Sequence, residues 1–73
     1  KMNFSGFLTT QTNNGTTHYW GYSVSLEQAE AVEIELDEVL LFNGDAHQGD
    51  LDDVSNMIAW MIKNGVEVVK LPH

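Results

Sequence analysis

The chain has 73 residues, no cysteine and a formal net charge of −8, with 11 carboxylates against three lysines. The lack of cysteine excludes a disulfide framework and a thiolate metal site. The negative charge argues against binding to anionic membranes or directly to nucleic acid. The apolar share is sufficient for a folded core, and no apolar run approaches the roughly 20 residues of a membrane span. We therefore expect one cytoplasmic domain over residues 1–73.

Most of the negative charge lies in one stretch, the acidic arm (residues 27–53). No Lys or Arg occurs between Met2 and Ile62, so no basic residue nearby in sequence offsets this charge. Such a segment repels itself unless salt or a cationic partner screens it. The arm contains ten carboxylates: Glu27, Glu30, Glu33, Glu35, Asp37, Glu38, Asp45, Asp50, Asp52 and Asp53.

Residues 2–24 are predicted to form a β-hairpin, because two Thr- and aromatic-rich runs flank Asn13-Asn14-Gly15. A two-residue turn would pair Phe7 with Tyr22. A three-residue loop with a left-handed Gly15 would pair Leu8 with Trp20. The second register is preferred because it collects most of the apolar side chains on one face. That face would carry Phe4, Leu8, Trp20, Tyr22 and Val24.

A helix is predicted over residues 26–36, because Ser25-Leu26-Glu27-Gln28 has the pattern of a capping box. The alternation of apolar residues with glutamate over 32–36 also fits a strand, and residues 39–42 could continue the helix or form a strand. At 100° per residue, the helix has an apolar stripe. It comprises Leu26, Ala29, Val32, Leu36, Val39 and Leu40.

The rest of the chain is predicted to contain a polar loop (45–49), a second helix capped by Asp50, and a last strand (66–71). We expect Leu51, Val54, Ile58, Met61 and Ile62 to line the buried face of this helix, with Met57 at its edge. The fold class is α+β, with one or two helices on one face of a small antiparallel sheet. The expected order is ββααβ or ββαβαβ.

The sequence shows no pattern typical of a catalytic centre or a cofactor site. The serines and histidines lie in no recognisable nucleophile motif, so we expect no enzyme activity and no cofactor. Asn43, Asp45, His47, Asp50 and Asp52 superficially resemble a calcium loop. The glycine and the terminal glutamate of that motif are misplaced, and a solvated loop is the preferred interpretation.

Two aromatic residues are unexplained by the predicted core. Trp20, Tyr22 and Trp60 are large enough to anchor the core, but Trp60 lies to the side of the second helix's apolar stripe and is left unassigned. In the preferred register, Phe7 and Tyr19 lie on the outer face of the sheet. There they would be covered by another chain or would form a binding spot.

The acidic arm has two interpretations. Acidic surfaces keep small proteins soluble, and Glu and Asp also favour helices and caps. Alternatively, all ten carboxylates form a partner-binding surface, together with Phe7 and Tyr19. Carboxylates three or four residues apart on a helix are about 5–6 Å apart, so their spacing is of the same order as that of DNA phosphates. Such a surface would bind the basic groove of a nucleic-acid-handling protein as a DNA mimic.

In its short cysteine-free chain, Thr/aromatic hairpin and Glu-rich helix, the sequence resembles the small acidic inhibitors of bacteriophages and mobile elements. These include anti-CRISPR proteins, anti-restriction proteins and uracil-DNA glycosylase inhibitors. The resemblance implies a phage-encoded inhibitor acting in the host cytoplasm, and it assigns no residue. An immunity protein or antitoxin that neutralises a basic nuclease is an alternative, as is a homodimeric or larger accessory module.

Overall fold

Two helices and five strands follow the order β1-β2-α1-β3-β4-α2-β5 in the computed structural model, which describes residues 3–72. The strands form one mixed sheet in the order β3-β4-β1-β2-β5. The predicted α+β class, hairpin, helices and C-terminal strand are confirmed. The elements are β1 (Gly6–Gln11), β2 (Thr17–Ser23), α1 (Leu26–Val39), β3 (Leu41–Asn43), β4 (Ala46–Gly49), α2 (Leu51–Lys63) and β5 (Glu67–Lys70).

The sequence suggested a purely antiparallel sheet, and this prediction is wrong. Strand β4 lies parallel to β1. The other three neighbouring pairs are antiparallel. The chain returns through α1 and β3 before β4 begins, so β4 runs in the same direction as β1. This connection places β4 in the interior of the sheet and leaves β3 and β5 at its edges.

The hairpin has the preferred register, with Leu8 opposite Trp20. Gly15 has φ +88°, as a three-residue loop requires, and the Gly15 amide donates to the Thr12 carbonyl. Phe4 departs from the prediction. Its ring contacts that of Phe7 and covers Gly21 on the outer face, because strand alternation begins only at Gly6. Residue 2, the predicted start of the hairpin, lies outside the described residues.

The first helix is longer than predicted and its apolar stripe is narrower. Val32, Leu36 and the C-cap residue Leu40 are buried, whereas Leu26 is 96% exposed and Val39 is also exposed. α1 packs on β3, β4 and α2, so its first turn contributes no buried residue. The Ser25 side chain makes no capping hydrogen bond to the backbone. Its hydroxyl donates to the Gln28 side chain, so the predicted capping box forms only in part.

Residues 45–49 are not a polar loop. Helix α1 ends at Val39, and Gly44 and Asp45 form the tight turn of a second hairpin between β3 and β4. Gly44 has φ +64°, a conformation that glycine adopts without strain. Because backbone pairing holds these strands, most of their side chains need not be buried. The exception is His47, which is 2% exposed.

The second helix is capped as predicted, because the Asp50 carboxylate accepts a 2.8 Å hydrogen bond from the Asp53 amide. Its core residues differ in part from the predicted set. Val54, Met57 and Met61 are buried, whereas Leu51 and Ile62 are more than half exposed. These three residues form the buried face of α2.

The core lies between the sheet and the two helices, which pack on one face. Trp20 and Trp60 are partly buried against it. No helix within residues 3–72 has both the length and the apolar character needed to cross a bilayer. The core residues are Leu8, Tyr22, Val32, Leu36, Leu40, Val54, Met57, Met61 and Val66.

Candidate functional site

The carboxylates of the acidic arm lie at the surface. Nine of the ten are exposed, and Glu35 is partly buried. Within residues 3–72 a single carboxylate forms an ion-pair contact, and its partner is a histidine: Asp37 with His47. The fold therefore brings neither Lys63 nor Lys70 to the arm, so the arm's charge faces solvent.

One row of exposed residues runs along the outward side of α1, opposite the buried Val32 and Leu36. Successive spacings of four, three and four residues place its members on one helix face. Glu30 is exposed beside it. The row combines negative charge with an apolar centre, because Ile34 is 54% exposed. This outward row consists of Glu27, Ala31, Ile34 and Glu38.

The aspartates after α1 lie in two different places. Asp45 lines a cleft beside Glu33 of α1. Asp50 and Asp52 line another cleft, against the hairpin turn at residues 11–14. The first cleft adjoins the start of β1 and the second adjoins its end. The two clefts are thus separated by the length of β1, which is roughly 17 Å for a six-residue strand. The arm is consequently divided between two surfaces.

Phe7 and Tyr19 lie on the sheet face opposite the helices, as the preferred register requires. The Phe7 ring packs edge-on against Phe4, with ring centroids 5.8 Å apart. Tyr19 is 37% exposed. Phe7 also lines the cleft that Asp45 shares with Glu33 of α1, whereas Tyr19 does not line that cleft.

A polar group that the sequence did not predict lies between α1 and β4. The Nε2 atom of His47 is 2.9 Å from Oδ1 of Asp37, and His47 is 2% exposed. The Tyr22 hydroxyl donates a 2.7 Å hydrogen bond to Oε2 of Glu33. Glu33 and Asp37 are one helical turn apart, and one ligand-type atom from each lies within 4.8 Å of one on His47. We call Glu33, Asp37 and His47 the carboxylate–histidine cluster.

The sheet fixes the two side chains that reach this cluster. His47 is paired with Leu8, so its ring points to the helix side of the sheet, where it also contacts the Phe42 ring. Tyr22 passes beside Gly6, where any Cβ atom would overlap the phenol group. Burial, followed by the hydrogen bond to Glu33, raises the pKa of the Tyr22 hydroxyl above its ordinary value. The hydroxyl therefore remains protonated and remains a donor to Glu33.

The cluster opens into a cleft of about 360 Å³ beside the first half of α1. Glu33 and His47 line this cleft together with Phe7 and Phe42. One imidazole and two carboxylates are donors that divalent transition metals accept, so these residues could hold such an ion. Within residues 3–72 no other group of three or more such side chains is close enough to hold an ion.

The sequence contained one signal that would have located His47. Gly44-Asp45 is a two-residue hairpin turn between short runs, a pattern that predicts a strand at residues 46–49 and not a polar loop. The pairing of His47 with α1 depends on β4 lying beside β1, which is a long-range contact. The calcium-loop pattern is not realised around His47, because β4 turns this side chain into the core.

Comparisons of the chain with protein-family models, with curated proteins and with solved structures find no significant match.

Proposed function

We propose that this protein binds a positively charged surface on a nucleic-acid-handling protein and inhibits it. The outward row of α1, with Glu30, is the centre of the binding surface. The observation that carries the proposal is an exposed Ile34 surrounded by carboxylates, with no cationic partner for them in residues 3–72. Charge around an apolar centre is the usual arrangement of a protein interface, whose rim is polar and whose middle is desolvated.

The two parts of this surface have different roles. Long-range attraction between the carboxylates and a basic groove accelerates encounter and excludes acidic partners. Burial of Ile34 then contributes affinity that salt does not screen. Glu27 and Glu30 are three residues apart on α1, a spacing of the order of phosphate spacing, which supports a groove that normally holds nucleic acid. An inhibitor of phage defence and an immunity protein against a nuclease both fit this mode of binding.

The test compares the native chain with two variants that have the same net charge as each other. One variant carries Glu27→Gln, Glu30→Gln and Glu38→Gln. The control carries Asp45→Asn, Asp52→Asn and Glu67→Gln, which removes the same charge from other exposed positions. Proteins captured from a candidate host lysate by the native chain are identified, and their affinities for all three proteins are measured at several salt concentrations. The nucleic-acid binding or cleavage activity of each captured protein is then assayed with the native chain added.

We expect the α1 variant to bind at least tenfold more weakly and the control to bind within about threefold of the native chain, because nearby charges dominate at physiological ionic strength. Binding should weaken as salt rises, and the captured protein should lose activity when the native chain is added. Equal weakening by both variants would show that the charge acts diffusely. Affinity independent of salt would refute the electrostatic mechanism.

The outer face of the sheet supports a second candidate, a self-associating module. Phe4 and Phe7 form an apolar pair there beside the partly exposed Tyr19. Sedimentation velocity over a wide concentration range tests this candidate, with Phe7→Ser as the variant. A dimer that the substitution dissociates would support it, and a monomer at every concentration would exclude it.

A further inference from the structure

We propose that the carboxylate–histidine cluster is a binding site for one divalent transition-metal ion of the Zn²⁺ or Co²⁺ type. Glu33, Asp37 and His47 would supply three ligands, and solvent in the cleft would complete the coordination. Metal binding at this site requires no partner protein, so the proposal does not depend on the partner-binding function.

The arrangement of the donors carries the inference. Ligand atoms that lie about 2.0–2.2 Å from a zinc ion are less than about 4.4 Å from one another. One ligand-type atom from each residue already lies within 4.8 Å of the others, and Nε2 of His47 is 2.9 Å from Oδ1 of Asp37. Small side-chain rotations would therefore close the site. Two carboxylates one turn apart repel each other, and an ion between them would remove that repulsion.

The surroundings of the cluster resemble the outer shell of a metal site. Bound metals are usually held by ligands that neighbouring hydrogen bonds orient. The Tyr22 hydroxyl holds Oε2 of Glu33 at 2.7 Å, which leaves the other carboxylate oxygen for an ion. His47 is fixed by its strand and is 2% exposed, so its imidazole loses little freedom on binding. Phe42 covers it with an edge-on ring contact at 5.1 Å.

An ion at this position would connect α1 with β4. The chain contains no cysteine with which to cross-link these two elements. Small domains often gain stability from a metal where disulfides are absent. Binding to the folded state alone would raise the melting temperature in proportion to the logarithm of the metal concentration.

The experiment uses the full chain without an affinity tag, after removal of metal with EDTA. Zinc chloride is titrated by calorimetry, and cobalt chloride is titrated by visible absorption, which reports direct coordination. The cluster variants are Glu33→Gln, Asp37→Asn and His47→Gln. Glu33→Gln retains an acceptor for the Tyr22 hydroxyl, so it preserves that contact. The controls are Glu30→Gln on the same helix and His18→Gln on β2.

We expect one ion per chain, a higher melting temperature with zinc, and at least tenfold weaker binding in each cluster variant. The controls should bind within about twofold of the native chain. If the Tyr22 hydroxyl orients Glu33 for metal binding, Tyr22→Phe should weaken zinc binding about tenfold. If His47→Gln does not fold, the two carboxylate variants still decide the question.

Two results would overturn the proposal. One is no measurable binding at a metal concentration of about 1 mM, the weak end of specific affinity. The other is binding of several ions per chain that the control substitutions reduce as much as the cluster substitutions do. That pattern would mean that the acidic surface attracts cations without a defined site.

Discussion

Replacing Glu38 with glutamine is expected to stabilise the fold. Glu38 lies in the last turn of α1, which contains no basic residue, and it is exposed. A negative charge at this end opposes the helix dipole by about 0.3–1 kcal/mol. Glu35 lies three residues earlier, and a like-charge pair at this spacing costs about 0.2–0.5 kcal/mol. Because glutamine and glutamate have similar helix propensities, the expected gain is about 0.5–1.5 kcal/mol.

The matched control is Glu27→Gln, at the opposite end of the same helix. Glu27 lies in the first turn, where a carboxylate interacts favourably with the dipole. Its loss and the relief of repulsion with Glu30 nearly cancel, so we expect a change within about 0.5 kcal/mol of zero. Urea unfolding, followed by circular dichroism at low salt and again at 1 M NaCl with EDTA present, measures both variants. The gain from Glu38→Gln should shrink at high salt, where the Debye length is about 3 Å.

Two outcomes would contradict this reasoning. Glu38→Gln could leave stability unchanged or lower it, which would mean that the carboxylate has a stabilising partner in solution. Alternatively, the gain could persist in full at 1 M NaCl, which would exclude a charge effect. The expected result would show that Glu38 lowers the stability of the fold. A destabilising charge is expected where a residue is needed for binding and not for folding.

Three further predictions concern the structural framework. Asp50→Ala should lower stability by about 1 kcal/mol, because the Asp53 amide loses its acceptor at the start of α2; a change below the error of urea unfolding would refute this role for the cap. Gly6→Ala should destabilise the fold by about 1–3 kcal/mol, because the new methyl overlaps the Tyr22 phenol. Gly15→Ala would not serve as its control, because the positive φ of Gly15 strains any other residue there. The raised pKa of Tyr22 means that the folded state holds this proton more tightly than the unfolded state does. The contribution of Tyr22 to the free energy of unfolding should therefore not vary with pH below its ordinary pKa of about 10. Above that pH it should fall by up to about 1.4 kcal/mol per pH unit. Tyr22→Phe, unfolded in urea between pH 8 and 11 with EDTA, should show a shallower decline, and parallel curves would contradict the assignment.

Local signals in the sequence were sufficient for most of the secondary structure. Gly15 determined the hairpin register, because a left-handed residue in a three-residue loop fixes which residues pair. Asp50 located the start of α2 for a similar reason, since a side-chain cap acts within one turn. The acidic character of α1 was also evident, because charge is a property of the residues themselves. These features depend on interactions between residues close in the chain.

The tertiary structure decided what the sequence could not. The β3–β4 hairpin is short and has one buried residue, so only its pairing with β1 establishes it as part of the sheet. That pairing turns His47 towards α1 and creates the carboxylate–histidine cluster. The charge pattern of the sequence could not distinguish the residues of this cluster from the rest of the acidic arm. It also separates Asp50 and Asp52 from Asp45. Composition therefore determined how much negative charge the protein has, whereas long-range strand pairing decided which charges share a surface.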